Sequence, residues 1–324
     1  MRSIEEFTDL FTDYLDNRIV TQEPANLYDP ILYILKIGGK RLRPVLTLLA
    51  CELFDTPYEK ALDAALAVEV FHNFSLVHDD IMDDAPLRRG METVHEKWDI
   101  NTGILSGDAM LINAYQLFEN YEGNTFRDLA KLFTQTAIRV CEGQQYDVDF
   151  ETRDDVTLAE YLKMIEFKTA VLVGAYLKMG GIVAGAPTGC CDNIYDFGRD
   201  LGIAFQLQDD YLDAFGDPES FGKQVGGDII ENKKTFLYLT ANAQLEPEIS
   251  QQLRHLFSIE PEDPLEKINT VKQLFIDSGA ALATQEQIKN YTQKAFEKLE
   301  KIKVSDQKKQ VLRDFGKILM NRKT

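Results

Sequence analysis

Two clusters of aspartates are the residues of this chain best suited to chemistry. The first aspartate cluster comprises Asp79, Asp80, Asp83 and Asp84, and the second aspartate cluster comprises Asp209, Asp210 and Asp213. Aspartates four residues apart share one helix face, where like charges repel. Pro86 follows the first cluster and a Gly-Asp-Pro break at 216–218 follows the second, so each is expected near a helix C-terminus. The helix dipole also disfavours anions there, and a bound cation is therefore expected.

The type of ligand indicates which cation this is. Both clusters offer carboxylate oxygens without a neighbouring set of His or Cys ligands, a donor set that suits a hard cation. Mg²⁺ is the natural candidate, because it binds one or two carboxylates, retains water and completes its coordination with substrate phosphate. One such cluster alone is as readily a solvated acidic helix end. Two clusters in apolar surroundings favour two helices that clamp several metal ions.

Basic residues supply the complementary charge in three short segments. They are Lys40, Arg41 and Arg43, then Arg88 and Arg89, and then Lys223, Lys233 and Lys234. Individually each is typical of a surface cation. In a chain with a net charge of −18, their grouping beside the aspartates predicts a receptor for diphosphates.

Composition limits the remaining possibilities. The net charge argues against nucleic acid or anionic lipid as a partner. Four cysteines without a disulfide framework or zinc-ligand spacing, and an N-terminus unlike a signal peptide, favour a cytoplasmic protein. No uncharged apolar run is long enough to predict a membrane span.

Helical periodicity dominates the elements that must position these residues. Thr56-Pro57-Tyr58-Glu59 predicts a helix that runs to about Asp83, and Thr157 with Glu160 predicts a second helix that includes residues 161–177. Glycine and proline break the chain into roughly ten helices without a long linker. We therefore expect one all-α domain over residues 1–324.

Five motifs, in order, resemble the signatures of the trans-isoprenyl diphosphate synthases. They are Gly-Gly-Lys-Arg-Leu-Arg-Pro at 38–44, Asp-Asp-x-x-Asp at 79–83, Arg-Arg-Gly at 88–90, Phe-Lys-Thr at 167–169, and Phe-Gln-Leu-Gln-Asp-Asp-Tyr-Leu-Asp at 205–213. The resemblance extends from Gly38 to Lys234. It implies an isoprenoid-synthase helical bundle around a central cavity, assembled as a homodimer.

The resemblance also implies an activity. These enzymes ionise an allylic diphosphate and join the resulting carbocation to isopentenyl diphosphate, with three Mg²⁺ ions that neutralise the leaving pyrophosphate. The implied metal ligands are Asp79, Asp83 and Asp209, with Asp80 and Asp213 in support. The residues implied to hold the allylic diphosphate are Arg88, Lys168 and Lys223, with Lys233 as a further diphosphate contact.

Other positions match the isopentenyl site and the reacting carbons. Lys40, Arg43, Arg89 and His72 match the isopentenyl diphosphate pocket, although a partly buried histidine is equally a packing residue. Phe205 is expected to pack over the isoprene unit. Thr169 and Gln206 place oxygen atoms near the developing cation. At the C-terminus, Arg322 and Lys323 are either further isopentenyl contacts or a frayed tail.

The resemblance also implies that product length depends on the residues before Asp79 on its helix, with Ser75 and Phe74 one turn back and Phe71 a further turn back. Phe74 and Phe71 would block long products, while the small Ser75 leaves some room. These residues favour geranylgeranyl diphosphate as the product, with farnesyl diphosphate or a longer polyprenyl diphosphate as alternatives. A terpene cyclase is a weaker reading because of the second aspartate cluster and the Gly-Gly-Lys-Arg-Leu-Arg segment. A non-catalytic partner subunit is also weaker, because both clusters, Lys168 and Lys223 are retained.

Overall fold

The computed structural model describes residues 2–217 and 225–320, and these residues are almost entirely helical. The all-α prediction is confirmed. Lys223, Arg322 and Lys323 lie outside the described residues. The chain divides into two compact units, one formed by Met1–Thr134 with Ala175–Asp192 and the other by Gln135–Gly174 with Asn193–Thr324. The expectation of one domain over residues 1–324 stays a prediction.

The first unit contains the helices that carry the first aspartate cluster. They are α1 (Ile4–Arg18), α2 (Ala25–Lys36), α3 (Leu42–Leu53), α4 (Leu62–Met82), α5 (Val94–Lys97) and α6 (Ile100–Gln116). Single 3₁₀ turns occupy Tyr58–Ala61 and Leu117–Asn120. Strands β1 (Leu87–Arg88) and β2 (Met91–Glu92) form a short antiparallel hairpin.

Helix α4 is the central helix of this unit. It packs against both α3 and α6, and its middle turns are buried on nearly every side, as expected for a helix with apolar residues all round. The predicted start near Tyr58 is early by one turn, because Tyr58–Ala61 winds as a tighter 3₁₀ turn before α4 begins. The predicted end near Asp83 is confirmed, with Asp83 as the C-cap.

The second unit contains most of α7 (Gly123–Thr152). The helices that follow α7 are α8 (Leu158–Ile165), α9 (Val171–Val183), α10 (Thr188–Phe215), α11 (Gly227–Ile230), α12 (Phe236–Gln244), α13 (Pro247–Leu256), α14 (Leu265–Asp277), α15 (Ala280–Glu300) and α16 (Asp306–Met320). The second unit has its own buried apolar core, which includes Tyr161, Leu207, Phe236 and Phe275.

A π-helical turn at Glu166–Ala170 separates α8 from α9. The capping box predicted for α8 is confirmed: Thr157 Oγ1 accepts from the Glu160 amide, and the Glu160 carboxylate accepts from the Thr157 amide. The uninterrupted α-helix predicted to follow it is wrong, since the helix widens at the Phe-Lys-Thr motif. Turns of this kind often occur where a functional side chain needs a particular direction.

Two glycines make room for the π-helical turn. A Cβ atom at Gly143 of α7 would lie 2.2 Å from the backbone nitrogen of Lys168, and one at Gly202 of α10 would lie 2.8 Å from Ala170 Cα. Both distances are far below van der Waals contact. The turn that carries Lys168 therefore depends on the absence of side chains at 143 and 202.

The cysteines Cys51, Cys141, Cys190 and Cys191 are all free. Among the helices that the structure describes, none combines the length and the apolar character needed to cross a membrane.

Candidate active site

The first aspartate cluster lies at the end of α4. Asp80 is buried, Asp79 is partly buried, and Asp83 is exposed as the C-cap residue, whose backbone N–H donates to the carbonyls of Asp79 and Ile81. The carboxylates therefore lie at the negative end of the helix dipole, as the sequence predicted. A cation at this helix end would remove an unfavourable interaction.

Asp80 forms an ion pair with Arg88 of the hairpin. Arg88 Nε lies 2.9 and 2.8 Å from the two carboxylate oxygens of Asp80, and Arg88 Nη2 lies 2.6 Å from Asp80 Oδ1. Both residues were predicted for the site, one as a supporting metal residue and one as a diphosphate contact. The pair fixes the direction of the guanidinium, and a buried, paired carboxylate suits that orienting role.

Four arginines lie near enough to His72 to act on its charge. Burial, followed by the charges of Arg43, Arg89, Arg88 and Arg41, holds the pKa of His72 well below its usual value. The imidazole is therefore neutral at pH 7. The structure thus brings Arg43, Arg89 and His72 of the predicted isopentenyl pocket together within one unit.

The glycine-rich loop before α3 positions these cations. Gly39, with φ of 142°, allows the guanidinium of Arg89 to lie directly against the backbone, since a Cβ there would be 2.4 Å from Arg89 Nη1. Lys40 follows on the same loop with an exposed side chain. A compact group of positive charge results, which suits an anionic phosphate group.

Arg41 anchors this loop and is not available for a substrate. Its guanidinium forms a buried ion pair with Glu69 of α4 and donates to the Leu35 carbonyl. Asn73 Nδ2 also donates to Glu69, at 3.0 Å. The sequence grouped Arg41 with the diphosphate-binding cations, and the structure corrects that grouping, because Arg41 is buried in an ion pair with Glu69. The sequence gives no sign of this partner.

The three residues predicted to limit product length lie on α4 before Asp79. Phe74 is buried, with its ring 5.5 Å from that of Phe71 and 4.8 Å from that of His78. Phe71 in turn packs against Phe133 at 5.0 Å. Ser75 is partly buried, and its hydroxyl donates to the His72 carbonyl. The aromatic level below the aspartates is therefore firmly packed.

The second aspartate cluster lies near the end of α10. Asp209 and Asp213 are partly buried, and Asp210 is buried. Asp210 accepts hydrogen bonds from the Tyr161 hydroxyl and from Gln206 Nε2, the latter at 3.0 Å. Asp213 accepts from the backbone amide of Asp228 at 3.0 Å.

Asp228 is an acidic residue of this site that sequence reasoning missed. Burial, with the nearby charges of Asp210 and Asp213, raises its pKa, and burial also raises the pKa of Asp210. Three carboxyl groups thus crowd together with reduced access to water. The sequence offered one signal for this residue, the Gly226-Gly227 pair just before it. The structure explains the second glycine, since a Cβ atom at 227 would lie 3.1 Å from Asp213 Oδ1.

The second unit also contains the predicted lysines Lys168 and Lys233 and the predicted polar residues Thr169 and Gln206. Lys168 Nζ lies 2.5 Å from Asp147 Oδ2, a partner that no sequence motif indicated. Thr169 Oγ1 lies 3.4 Å from Gln206 Oε1, which brings those two predicted residues together. Lys233 lies 2.7 Å from Glu231 and 3.8 Å from Asp228, and these carboxylates raise its pKa although burial opposes them.

Phe205 precedes Gln206 on α10 and is partly buried. A cavity of about 840 Å³ in the second unit is lined instead by Tyr211, Leu212, Phe296 and their neighbours. Because none of the predicted site residues lines that cavity, we do not assign the active site there.

The aspartates fit magnesium. Asp209 and Asp213 offer carboxylate oxygens, and burial is the largest cause that raises the pKa of Asp213 and of the neighbouring Asp210 and Asp228. A divalent cation beside them would favour the ionised forms. This donor set matches a hard cation such as Mg²⁺ and does not favour metals that prefer nitrogen or sulfur ligands.

The helical fold and the two aspartate clusters are typical of an isoprenoid synthase. The polyprenyl synthetase family matches residues 24–275, and the chain belongs to this family. It is accordingly a prenyltransferase.

Three relatives illustrate the similarity. A geranylgeranyl pyrophosphate synthase of known crystal structure shares 53% sequence identity with this chain, with a TM-score of 0.95 and 100% of both chains covered. The geranylfarnesyl diphosphate synthase of Natronomonas pharaonis is 35% identical over 99% of this chain and 97% of its own length. A polyprenyl synthase from Caulobacter crescentus, crystallised with calcium and isoprenyl diphosphate, is 28% identical, with a TM-score of 0.84 over 99% of this chain and 98% of its own.

Proposed function

We propose that the enzyme makes geranylgeranyl diphosphate from isopentenyl diphosphate and allylic diphosphates. The observation that carries this proposal is the full-length similarity to the geranylgeranyl pyrophosphate synthase at 53% identity. The packed aromatic pair Phe71 and Phe74 before Asp79 supports a product of limited length. Geranylfarnesyl diphosphate, one isoprene unit longer, is the second candidate, because the Natronomonas relative carries that name.

Magnesium is the proposed cofactor, held by Asp79, Asp83, Asp209 and Asp213. When bound, it would neutralise the charge that grows on pyrophosphate as the allylic carbon–oxygen bond breaks. The family resemblance favours three ions. The Caulobacter relative, crystallised with calcium and an isoprenyl diphosphate, supports a divalent ion in this family.

The chain's own cations then orient the allylic diphosphate. Arg88, aligned by Asp80, and Lys168, paired with Asp147, present N–H donors in fixed directions. Preoriented donors stabilise developing charge more than mobile ones, because little reorganisation is needed during the reaction. Thr169 and Gln206 offer oxygen dipoles that stabilise a carbocation without capturing it.

Isopentenyl diphosphate is proposed to bind the group formed by Lys40, Arg43, Arg89 and His72. The three cations neutralise its phosphates. His72 is neutral, so it contributes one N–H donor without a further positive charge. Pyrophosphate released in the first step is the proposed acceptor of the proton lost from the condensed product. A cytoplasmic location and a homodimer stay predictions of the sequence.

Product sizing tests the proposal directly. The protein is incubated with Mg²⁺, isopentenyl diphosphate and labelled allylic starters of increasing length, and the dephosphorylated products are separated by size. Geranylgeraniol is expected as the main product, and chelation of the metal should abolish turnover. A main product of farnesol or of a longer alcohol would overturn the assignment of product length. Hydrocarbon release from an allylic substrate alone would indicate a terpene cyclase.

A further inference from the structure

A third group of potential ligands combines Asp84, the last residue of the first aspartate cluster, with two residues of α5. Ligand atoms of Asp84, His95 and Glu96 all lie within 4.8 Å of one another. None of the three belongs to the proposed magnesium ligands. The presence of an imidazole also distinguishes this group chemically from the oxygen-only clusters.

His95 is the unusual member. Its side chain is only 4% exposed, yet neither ring nitrogen has a hydrogen-bond partner among the residues that the structure describes. The nearest carboxylate oxygen, from Glu96, lies 3.8 Å from Nε2, too far for a hydrogen bond. A buried polar group without a partner costs free energy, and such groups in native proteins usually have a water or an ion.

The surrounding structure holds the three residues together. Asp84 follows the end of α4 in the left-handed region, with φ of 48°. Thr93, just before α5, donates from its hydroxyl to the Ala85 carbonyl at 2.8 Å and from its amide to the Pro86 carbonyl at 3.2 Å. These bonds close the segment between Asp84 and His95 into a compact loop.

The packing around His95 limits where its ring can lie. A Cβ atom at Gly103 of α6 would be 3.8 Å from His95 Cβ and 2.9 Å from Ile81 Cδ1, so helices α4, α5 and α6 meet closely here. The backbone end of the His95 side chain is thus held close to α6. Asp84 and Glu96 are exposed, which leaves the other side of the group open to water.

We propose that Asp84, His95 and Glu96 form a binding site for a divalent transition metal, with Zn²⁺ as the expected ion. One imidazole and two carboxylates are common zinc ligands, and three protein ligands leave a position for water. Mg²⁺ is disfavoured because it prefers oxygen ligands. A metal here would link the end of α4 to α5 and steady the intervening hairpin, which carries Arg88.

Cobalt binding tests the site independently of catalysis. The complete chain is treated with chelator and dialysed, and Co²⁺ is added with Mg²⁺ in large excess to occupy the oxygen-only clusters. One equivalent of Co²⁺ should bind per chain and show visible d–d absorption. Zn²⁺ should displace it.

Isosteric variants locate the bound ion. Asp84→Asn, which tolerates the left-handed backbone, and Glu96→Gln, which lies on the surface, should each weaken Co²⁺ binding by at least about tenfold. The matched controls are Glu92→Gln on the same hairpin and Asp79→Asn in the first aspartate cluster, and both should retain Co²⁺. His95→Gln should also abolish binding if circular dichroism shows that it folds.

Two results would overturn the proposal. One is that no Co²⁺ is retained in the presence of excess Mg²⁺. The other is that Asp79→Asn removes the bound Co²⁺ while Glu96→Gln leaves it in place, which would assign the ion to the magnesium ligands.

Discussion

Neighbouring aspartates in the two clusters have different surroundings. The second aspartate of each Asp-Asp pair is buried and hydrogen-bonded, Asp80 to Arg88 and Asp210 to Tyr161. The first members, Asp79 and Asp209, are partly buried. Each cluster therefore contains a buried, hydrogen-bonded aspartate next to a partly buried one. The sequence predicted a supporting role for Asp80 but none for Asp210, because only the fold brings Tyr161 to that carboxylate.

Substitution of Asp79 separates catalysis from stability. We expect Asp79→Asn to lower turnover roughly a hundredfold or more, because charge stabilisation at the leaving group is weakened. Without metal, the variant should be as stable as the parent or more stable by up to about 0.5 kcal/mol, since it removes an anion from a helix C-terminus. Turnover and urea unfolding in chelator measure the two effects.

Asp16→Asn is the matched control for that variant. Asp16 is an exposed aspartate in the last turn of α1, so it has the same unfavourable relation to a helix dipole. Its substitution should leave turnover unchanged. Unfolding of the Asp79→Asn protein would mean that the first aspartate cluster is structural.

The lowered pKa of His72 leads us to expect that the stability of the protein depends on pH. The folded protein keeps His72 neutral, while the unfolded chain binds a proton below about pH 6.5. The unfolded state therefore holds more protons in mildly acidic solution, and stability falls as pH is lowered from about 7 to about 5. The slope from this group is at most about 1.4 kcal/mol per pH unit.

Two histidine variants, His72→Gln and His255→Gln, isolate the contribution of His72 to this slope. The raised pKa values of Asp210 and Asp228 make stability fall as pH rises, but both aspartates are present in each variant, so their effect cancels in the comparison. His72→Gln should flatten the acidic fall in the free energy of unfolding, whereas His255→Gln, at an exposed position, should not. An unchanged slope in His72→Gln would contradict the neutral state assigned to the imidazole.

Among the elements, the π-helical turn has the clearest functional consequence. Lys168 and Thr169 lie in a widened turn between α8 and α9, with Gly143 and Gly202 against its backbone. Sequence patterns identified the start of α8 through its capping box, because that signal is local. They missed the π turn, because it depends on contacts with residues more than twenty positions away.

Gly143→Ala tests the importance of this close contact. The added methyl group should destabilise the protein by about 1–3 kcal/mol and lower turnover, because it displaces the backbone of Lys168. Gly189→Ala is the control, since a Cβ at that helical position meets no atom within 4 Å. It should be neutral or slightly stabilising. Denaturant unfolding and steady-state kinetics distinguish the variants, and full activity in Gly143→Ala would refute the packing argument.

At the scale of the whole molecule, the sequence predicted the all-helical class and the aspartate helix ends correctly. Helical periodicity and glycine or proline breaks are repeated along the chain, so errors at single boundaries do not change the class. Pairings between distant residues were not predicted, as Arg41 with Glu69 and Lys168 with Asp147 show. Nothing in the local sequence selects one carboxylate among 53 acidic residues.

Product length is a property of the whole enzyme, and substitution of Phe74 tests what limits it. Phe74→Ala should lengthen the product by one or more isoprene units, because it removes a packed ring before Asp79. The variant should also lose about 3–5 kcal/mol of stability. Phe118→Ala removes another buried ring, which packs against Phe133 at 5.2 Å, and should leave the product unchanged. Size analysis of the dephosphorylated products compares the two variants with the parent. An unaltered product distribution for Phe74→Ala would mean that other residues limit the length of the product.

The glycines beside the π-helical turn also restrict how this protein can evolve. A replacement at 143 or 202 adds atoms against backbone, which no rotamer change can relieve. A drifting lineage could keep the helical fold and every aspartate, yet lose the turn through one such change. Inspection of these two positions would then separate catalytically competent descendants from pseudoenzymes whose acidic motifs are still intact.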